Sequence, residues 1–436
     1  MRLTRTLLAG LRDCTVRNWK KVWKYQGKYF DQPYTIPEAL ASKGIPVIKV
    51  NDIKPVYTKW VPPVSDDPRF AEPIPPEKQE DWKPEPVYVH HDNVRLFEGI
   101  KQVCLIAKAQ PFEGFPPSVD KLIGAMDVPD KDMILQRYIM QSQVWNTDED
   151  NLPKPPPHPD KPRWKWVKQV GITHVKSTQI LVRNLLRLCQ IQTAQFPSFT
   201  GRKYILDVPI YSHIMYTGKA IIMKEPLDIL LTSDQDLPPF ADENAVDASV
   251  LYKIPDMWPI FPTVDFLKTN NYEILSNTGF SSDMKLTCPH TIIQFPRKTH
   301  WEVKHYQAAQ IMSCLMYTAA LARKRFGEHV KILPKPICVQ HVSVEQGKFL
   351  FAFFQLNTLD FESDSGIKNF IWTADRSDLY SETHPQPWLK DPLLEKSKIV
   401  DYDPVAFDRF LAVYLNGFPE MSSILQKQTE KATASS

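Results

Sequence analysis

The distribution of proline and glycine is the feature that most limits how this chain can fold. Its 436 residues include 39 prolines, close to twice the average share, and 14 glycines, less than half of it. Twelve of the prolines lie in residues 31–86, and proline favours extended backbone without regular hydrogen bonds. This segment therefore predicts an extended arm, in which Tyr57, Trp60, Phe70 and Trp82 are candidate anchors for a partner surface. A linker without a partner is the alternative interpretation.

Several classes of protein are excluded by spacing alone. The nearest two glycines are Gly114 and Gly124, so neither a dinucleotide-binding G-x-G-x-x-G motif nor a P-loop occurs. The six cysteines include no C-x-x-C pair, which argues against a zinc ribbon and favours a reducing compartment. The most apolar helical run, residues 311–322, is shorter than the roughly 20 residues of a membrane span. The sequence therefore predicts no cofactor, no metal site and no membrane span.

Residues 1–30 have the character of a mitochondrial presequence. They carry eight basic residues and one acidic residue, and on a helical wheel Leu3 and Leu7 lie opposite Arg2 and Arg5. A surface helix or a basic nucleic-acid arm is the alternative. The rest of the chain has a small excess of acidic residues, so we expect any RNA contact to be local. The presequence predicts delivery to the mitochondrial matrix.

Residues 87–425 predict a single α/β body, a mixed sheet with packed helices, that carries a proline-rich insertion at 147–162 and is followed by a flexible tail at 426–436. Helical periodicity occurs at 93–109, 131–145, 173–194, 302–326 and 404–415. Strand patterns occur at 203–211, 219–224, 227–232, 291–295, 336–344 and 348–357. The last two strands flank a predicted hairpin turn, and Gly327 suits the end of the long helix.

Three carboxylates follow the most apolar strand pattern at alternate positions, as Asp360, Glu362 and Asp364. They do not form an EF-hand calcium loop, because serine stands at the position of the turn glycine and Ile371 at that of the bidentate acid. A metal-dependent RNA-processing hydrolase site is one interpretation. Asp364-Ser365-Gly366 is a turn sequence, however, and burying three like charges is expensive. We therefore favour a solvent-facing turn, and no residue is predicted to be catalytic.

Two basic features are candidate contacts for RNA. The first alternates basic and aromatic side chains, as phosphate-binding and base-stacking patches do. Its residues are Arg163, Trp164, Lys165, Trp166 and Lys168. The second is the basic end of the predicted long helix, at Arg323, Lys324 and Arg325. A half-buried strand end explains the first pattern equally well, and favourable cation placement at a helix C-terminus already explains the second.

Five short blocks in fixed order carry a resemblance to a known family. They are VRLFEGIKQ, NTGF, PHT, FQLNT…GIKNFIW and FDRFLAVYLNGF, within a span from about residue 65 to residue 418. The chain resembles the family of the mitochondrial large-ribosomal-subunit protein numbered thirty-seven, which includes a paralogue once described as a programmed-cell-death protein. The insertion at 147–162 looks longer than the family pattern.

The resemblance implies a structural protein rather than an enzyme. Family members share a fold, are understood to pair within the large subunit, and carry no recognised catalytic site. We therefore expect a structural constituent of the mitochondrial large ribosomal subunit that supports mitochondrial translation. Its expected partners are large-subunit ribosomal proteins, including the paralogous family member, and the large-subunit ribosomal RNA. A soluble matrix adaptor outside the ribosome is a further alternative beside the hydrolase.

Overall fold

The computed structural model describes residues 35–44, 46, 48, 75–143, 172–279, 288–297, 300–384, 398–421 and 425. The chain divides into two compact units, Met1–Pro73 and Ile74–Ser436. In the first unit the described element is a short helix, α1, Glu38–Ala41, with no buried residue. The predicted presequence, most of the predicted arm, the insertion at 147–162 and the tail lie outside the described residues.

The second unit holds the sheet and its helices. Its strands are β1 Trp82–His91, β2 Ala109–Glu113, β3 Lys203–Tyr216, β4 Lys219–Ser233, β5 Leu267–Asn271, β6 Cys288–Gln294, β7 Ile332–Glu345, β8 Lys348–Thr358, β9 Asn369–Thr373, β10 Ser377–Asp378, β11 Glu382–His384 and β12 Lys398–Val400. Its helices are α2 Ile100–Ile106, α3 Pro117–Asp120, α4 Lys131–Ser142, α5 His174–Thr193, α6 Glu243–Ala248, α7 Val303–Phe326 and α8 Val405–Leu415.

Most of the strands join one mixed sheet. The order along it is β2-β9-β8-β7-β6-β4-β1-β5, while β3 pairs with β4 and β10 pairs with β8. The pairs β1/β4, β2/β9 and β6/β7 are parallel, and the remaining pairs in this sheet are antiparallel. The mixed α/β fold predicted from the sequence is confirmed.

Helices cover both faces of this sheet. One apolar cluster joins α4, α5 and α8 to strand residues such as Phe351 and Phe353, and the other joins α2 and α7 to residues such as Ala352 and Phe354. Successive residues of β8 therefore point into different cores. A strand that is buried on both faces reads as a continuous apolar run, which explains the sequence FLFAFFQL.

The predicted hairpin and long helix are confirmed. β7 and β8 pair antiparallel up to Glu345 and Lys348, and the two-residue turn between them places Gln346 and Gly347 at positive φ, as a type I′ turn requires. α7 ends at Phe326, and Gly327 follows with φ +94°. None of the helices in the described residues is long and apolar enough to cross a membrane.

Two predicted elements have different bounds in the structure. The helix predicted over 93–109 begins only at Ile100, because Gly99 has φ +61° and a Cβ there would stand 2.9 Å from the carbonyl oxygen of Lys304. The strands predicted at 219–224 and 227–232 form the single strand β4. Pro226 lies inside β4 directly opposite Pro209 of β3, so the hydrogen-bond donors that proline lacks are missing at one pair only.

Candidate interaction surfaces

The three carboxylates Asp360, Glu362 and Asp364 lie in the connection between β8 and β9. Glu362 and Asp364 are exposed and Asp360 is half-buried, whereas Phe361 between them is buried and bridges to Tyr216 of β3. The predicted solvent-facing turn is therefore confirmed. Within the described residues no group of three or more His, Cys, Asp or Glu side chains is arranged to hold a metal ion. The hydrolase alternative gains no support from this arrangement.

Two buried lysines lie beneath this connection and give its acids a structural role. Lys108 Nζ donates to the backbone oxygen of Asp360 at 3.0 Å, and Lys368 Nζ donates to that of Gly366 at 3.0 Å and also to that of Asp364. Burial lowers the pKa of Lys108, and the carboxylates of Asp360 and Asp364 partly offset that shift. The acids thus stabilise a buried ammonium group while they remain in contact with water.

The basic end of α7 is largely engaged in contacts within the chain. Arg323 Nε lies 3.6 Å from Glu328, and Arg325 lies 2.8 Å from Oδ1 of Asp236. Burial alone would raise the pKa of Asp236, but the charge and hydrogen bond of Arg325 lower it. Lys324 is exposed, and no ion pair to it occurs among the described residues. Of the three predicted RNA contacts at this helix end, Lys324 is therefore the one best placed to reach a phosphate.

The remaining predicted contacts are only partly within the described residues. Trp82 is the first residue of β1 and is half-buried at the margin of the sheet. The other three aromatic anchors of the arm and the whole basic and aromatic patch lie outside the described residues. They are Tyr57, Trp60, Phe70, Arg163, Trp164, Lys165, Trp166 and Lys168.

Sequence reasoning missed an exposed apolar surface, which we call the apolar loop, at residues 250–267. Leu251 is 87% exposed, Trp258 80% and Phe261 72%. Trp258 and Phe261 line a depression of about 250 Å³, whose acidic margin includes Asp256 and Asp364. Large apolar side chains exposed together mark interaction sites on soluble proteins.

Hydrogen bonds and buried side chains fix the apolar loop to the body. Gln102 of α2 donates to the backbone oxygen of Pro262 at 2.6 Å and to Oδ2 of Asp265 at 3.0 Å. The backbone N–H of Phe97 donates to the same carboxylate oxygen of Asp265 at 2.9 Å, and Met257 and Phe266 are buried. The exposed aromatic residues therefore stand on a fixed support, which lowers the entropy lost on binding. The available sequence signal was the group of aromatic and apolar residues among prolines in a stretch without periodicity.

Comparison with known proteins finds relatives that match most of the chain. No family model matches the chain. The large ribosomal subunit protein mL37 of Rattus norvegicus is 27% identical over 417 residues, which cover 94% of this chain and 93% of the relative. The mL37 proteins of Bos taurus and Gallus gallus are each 26% identical, over 89% and 76% of this chain.

The chain is similar to mL37 proteins over nearly its whole length. Because the rat and cattle mL37 proteins are covered over 93% and 89% of their own lengths, the similarity extends over whole proteins rather than one shared domain. The resemblance seen in the five sequence blocks is confirmed.

Proposed function

We propose that this chain is a structural constituent of the mitochondrial large ribosomal subunit and acts in the mitochondrial matrix. The observation that carries the proposal is the similarity to mL37 proteins over 94% of the chain. The architecture supports it, because helices cover both faces of the sheet and the body can act as a stiff support between neighbours. The role we propose is one of packing and position, without catalysis.

Protein contacts form the first part of the proposed role. We propose that the apolar loop packs against a neighbouring large-subunit protein, with Trp258 and Phe261 as its central residues. Exposed tryptophan on a fixed backbone is typical of residues that dominate interface energies. The paralogous family member is our proposed neighbour, on the grounds of the family resemblance, and the arm of residues 31–86 is proposed to add contacts.

RNA contacts form the second and smaller part. Lys324 and the patch at residues 163–168 are proposed to touch ribosomal RNA locally, since the acidic excess outside residues 1–30 argues against a broad basic surface. Residues 1–30 are proposed to direct import. The RNA contacts and the import signal are separate proposals, and the proposed ribosomal role does not depend on any of them.

Gradient sedimentation of a tagged chain from mitochondrial lysate tests the proposal. The chain should sediment with the large subunit at low salt in the presence of magnesium, whereas an equally tagged matrix enzyme should stay in the light fractions. Changing Arg2, Arg5 and Arg12 to glutamate should prevent import and remove the chain from both fractions. Recovery of the unaltered chain in light fractions alone would contradict the ribosomal role and favour a soluble matrix adaptor.

A further inference from the structure

A small polar pocket lies where the start of α7 meets the sheet. It encloses about 80 Å³, so it can hold the head group of a side chain but not a whole residue. Its lining comes from segments far apart in the sequence and includes three acids, two aromatic rings and a buried amide. These residues are Asp92, Glu225, Asp228, Trp301, Tyr306 and Gln310.

Carboxylates outnumber cations in this pocket. Burial, with a smaller contribution from the charges of Asp92 and Asp228, raises the pKa of Glu225 to about 7. Among the described lining residues the cation is Arg297, whose side chain is 60% exposed and whose Nη2 lies 3.4 Å from Oδ1 of Asp228. The pocket therefore favours an additional positive charge.

Several hydrogen-bond donors of side chains around the pocket are already bound to acceptors of the same chain. His341 Nε2 contacts Oε1 of Gln294 at 2.7 Å, and Gln294 Nε2 donates to Oε1 of Glu225 at 2.7 Å. Because an amide oxygen can only accept, His341 carries its proton on Nε2, and its Nδ1 accepts from Gln310 Nε2 at 3.2 Å. Ser313 Oγ donates to the other oxygen of Glu225 at 2.7 Å. Each donor in this series of hydrogen bonds is thus already engaged by an acceptor within the chain.

The amide oxygen of Gln310 is a buried acceptor that lacks a hydrogen-bond donor in the part of the chain that the structure describes. Gln310 is 2% exposed, and its Nε2 also donates to the backbone oxygen of Leu350 at 2.9 Å, which fixes the orientation of the amide. Its Oε1 has no hydrogen-bond partner among the described residues. A buried acceptor without a donor is unfavourable, so a ligand that brings N–H groups would satisfy it.

The aromatic residues indicate which cation fits. The ring centroids of Trp301 and Tyr306 lie 5.7 Å apart with the planes tilted by 39°, and both rings line the pocket. The acids do not form a metal-binding group within the described part of the chain. A guanidinium group is planar, carries five N–H donors and stacks on aromatic rings. A guanidinium group would therefore balance the negative charge, supply the missing N–H donors and stack on the aromatic rings.

We propose that this pocket binds the guanidinium group of an arginine side chain from a neighbouring protein of the large subunit, an inference that rests on the proposed ribosomal role. The carboxylates of Asp92 and Asp228 supply counter-charge, Gln310 Oε1 accepts an N–H, and Trp301 provides a stacking surface. The pocket thereby serves as a point of attachment distinct from the apolar loop, because the two share no lining residue.

The binding test uses the purified full-length chain and three small probes. Nα-acetylarginine amide is compared with Nα-acetylcitrulline amide, which has nearly the same shape without the charge, and with Nα-acetyllysine amide. The indole N–H signal of Trp301, assigned by a Trp301→Phe variant, is followed by NMR. The arginine probe should shift this signal saturably, the lysine probe more weakly, and the citrulline probe should leave it unchanged.

Charge-neutral variants complete the test. Asp92→Asn and Asp228→Asn should each weaken binding of the arginine probe by about tenfold, whereas Asp247→Asn on exposed helix α6 should not change it. No saturable shift, or an equal shift with citrulline, would overturn the proposal. Such a result would leave sedimentation with the large subunit unaffected, so failure of this inference is distinguishable from failure of the ribosomal role.

Discussion

The backbone N–H of Asn357 donates to the side-chain oxygen of Asn369 at 2.7 Å, across the connection that holds the acidic residues. Asn369 Oδ1 also accepts from Thr358 N at 2.9 Å, and its Nδ2 donates to the backbone oxygens of Ala107 and Thr358. Asn357 Nδ2 in turn donates to the backbone oxygen of Lys368 at 2.8 Å. One buried amide therefore joins the ends of β8 and β9 to the chain between α2 and β2. Both asparagines belong to the sequence block FQLNT…GIKNFIW.

The Asn369→Ala variant should lose at least about 3 kcal/mol of unfolding free energy. The substitution leaves buried N–H and carbonyl groups without partners, and each such group costs about 1–3 kcal/mol. Urea unfolding of the purified chain measures the loss, and Asn93→Ala at an exposed turn is the matched control, expected to change little. Equal midpoints for the two variants would show that Asn369 does not hold these strands together.

The buried carboxyl of Glu225 should give the protein a pH-dependent stability. Its pKa is about 7 in the folded chain, against an ordinary value of 4.5, so the folded state holds the proton more tightly than the unfolded state does. This contribution is complete below about pH 4.5 and is lost as the pH rises to about 7. Between pH 5 and pH 8 the unaltered chain should therefore lose about 2 kcal/mol relative to Glu225→Gln.

Urea unfolding of both proteins at several pH values tests this expectation. Because the buried histidines His90 and His341, whose pKa values burial lowers to about 3, are common to both proteins, their titration largely cancels in the difference. Parallel stability profiles over this range would mean that Glu225 does not bind its proton more tightly in the folded state.

Neutralising Asp360, Glu362 and Asp364 should lower the stability of the fold only modestly and should not impair mitochondrial translation. Glu362→Gln alone should change stability by less than about 0.5 kcal/mol, because its ion pair with Lys331 is exposed and 3.9 Å long. Adding Asp360→Asn and Asp364→Asn removes the counter-charges near Lys108 and should cost about 1 kcal/mol. Mitochondrial translation, measured by pulse labelling in complemented cells, should persist. Lost translation with normal assembly of the triple variant would instead favour the hydrolase.

Truncating the apolar loop should weaken assembly without unfolding the body. Trp258→Ala with Phe261→Ala removes side chains that are 80% and 72% exposed, so the melting temperature should stay close to that of the unaltered chain. If the loop packs against a neighbour, each truncation should remove more than about 1 kcal/mol of binding free energy. A salt series on gradients measures release from the subunit, with Ile332→Ala, 65% exposed at the start of β7, as control. Equal release of both variants would count against the loop as an interface.

Local sequence patterns correctly predicted those elements whose burial and backbone geometry follow from a few neighbouring residues. The run FLFAFFQL indicated an interior strand because β8 buries both faces, and Gly327 marked the end of α7 because the chain adopts positive φ there. Glu362 and Asp364 after β8 were correctly predicted to face water, whereas Asp360 is half-buried. In each case the evidence lay within a few neighbouring residues.

The features that the sequence did not reveal depend on distant contacts. The helix predicted from residue 93 starts only after Gly99, because Gly99 packs against Lys304, about two hundred residues away in the chain. Trp372 is buried in the core and Trp258 is exposed, although both are tryptophans in apolar surroundings. The pocket at the start of α7 takes its acids from β4 and the end of β1 and its rings from residues 301 and 306. A short sequence motif cannot indicate such a combination, because the residues are far apart in the sequence.

Stoichiometry within the isolated subunit tests the central claim most directly. Large subunits are purified from mitochondria, washed with increasing salt, and the chain is quantified by isotope-labelled peptides against the large-subunit ribosomal RNA. A structural constituent should be equimolar with that RNA and should stay so at salt concentrations that release loosely bound factors. A clearly substoichiometric amount that washes away with those factors would contradict the account, because an adaptor outside the ribosome behaves in that way.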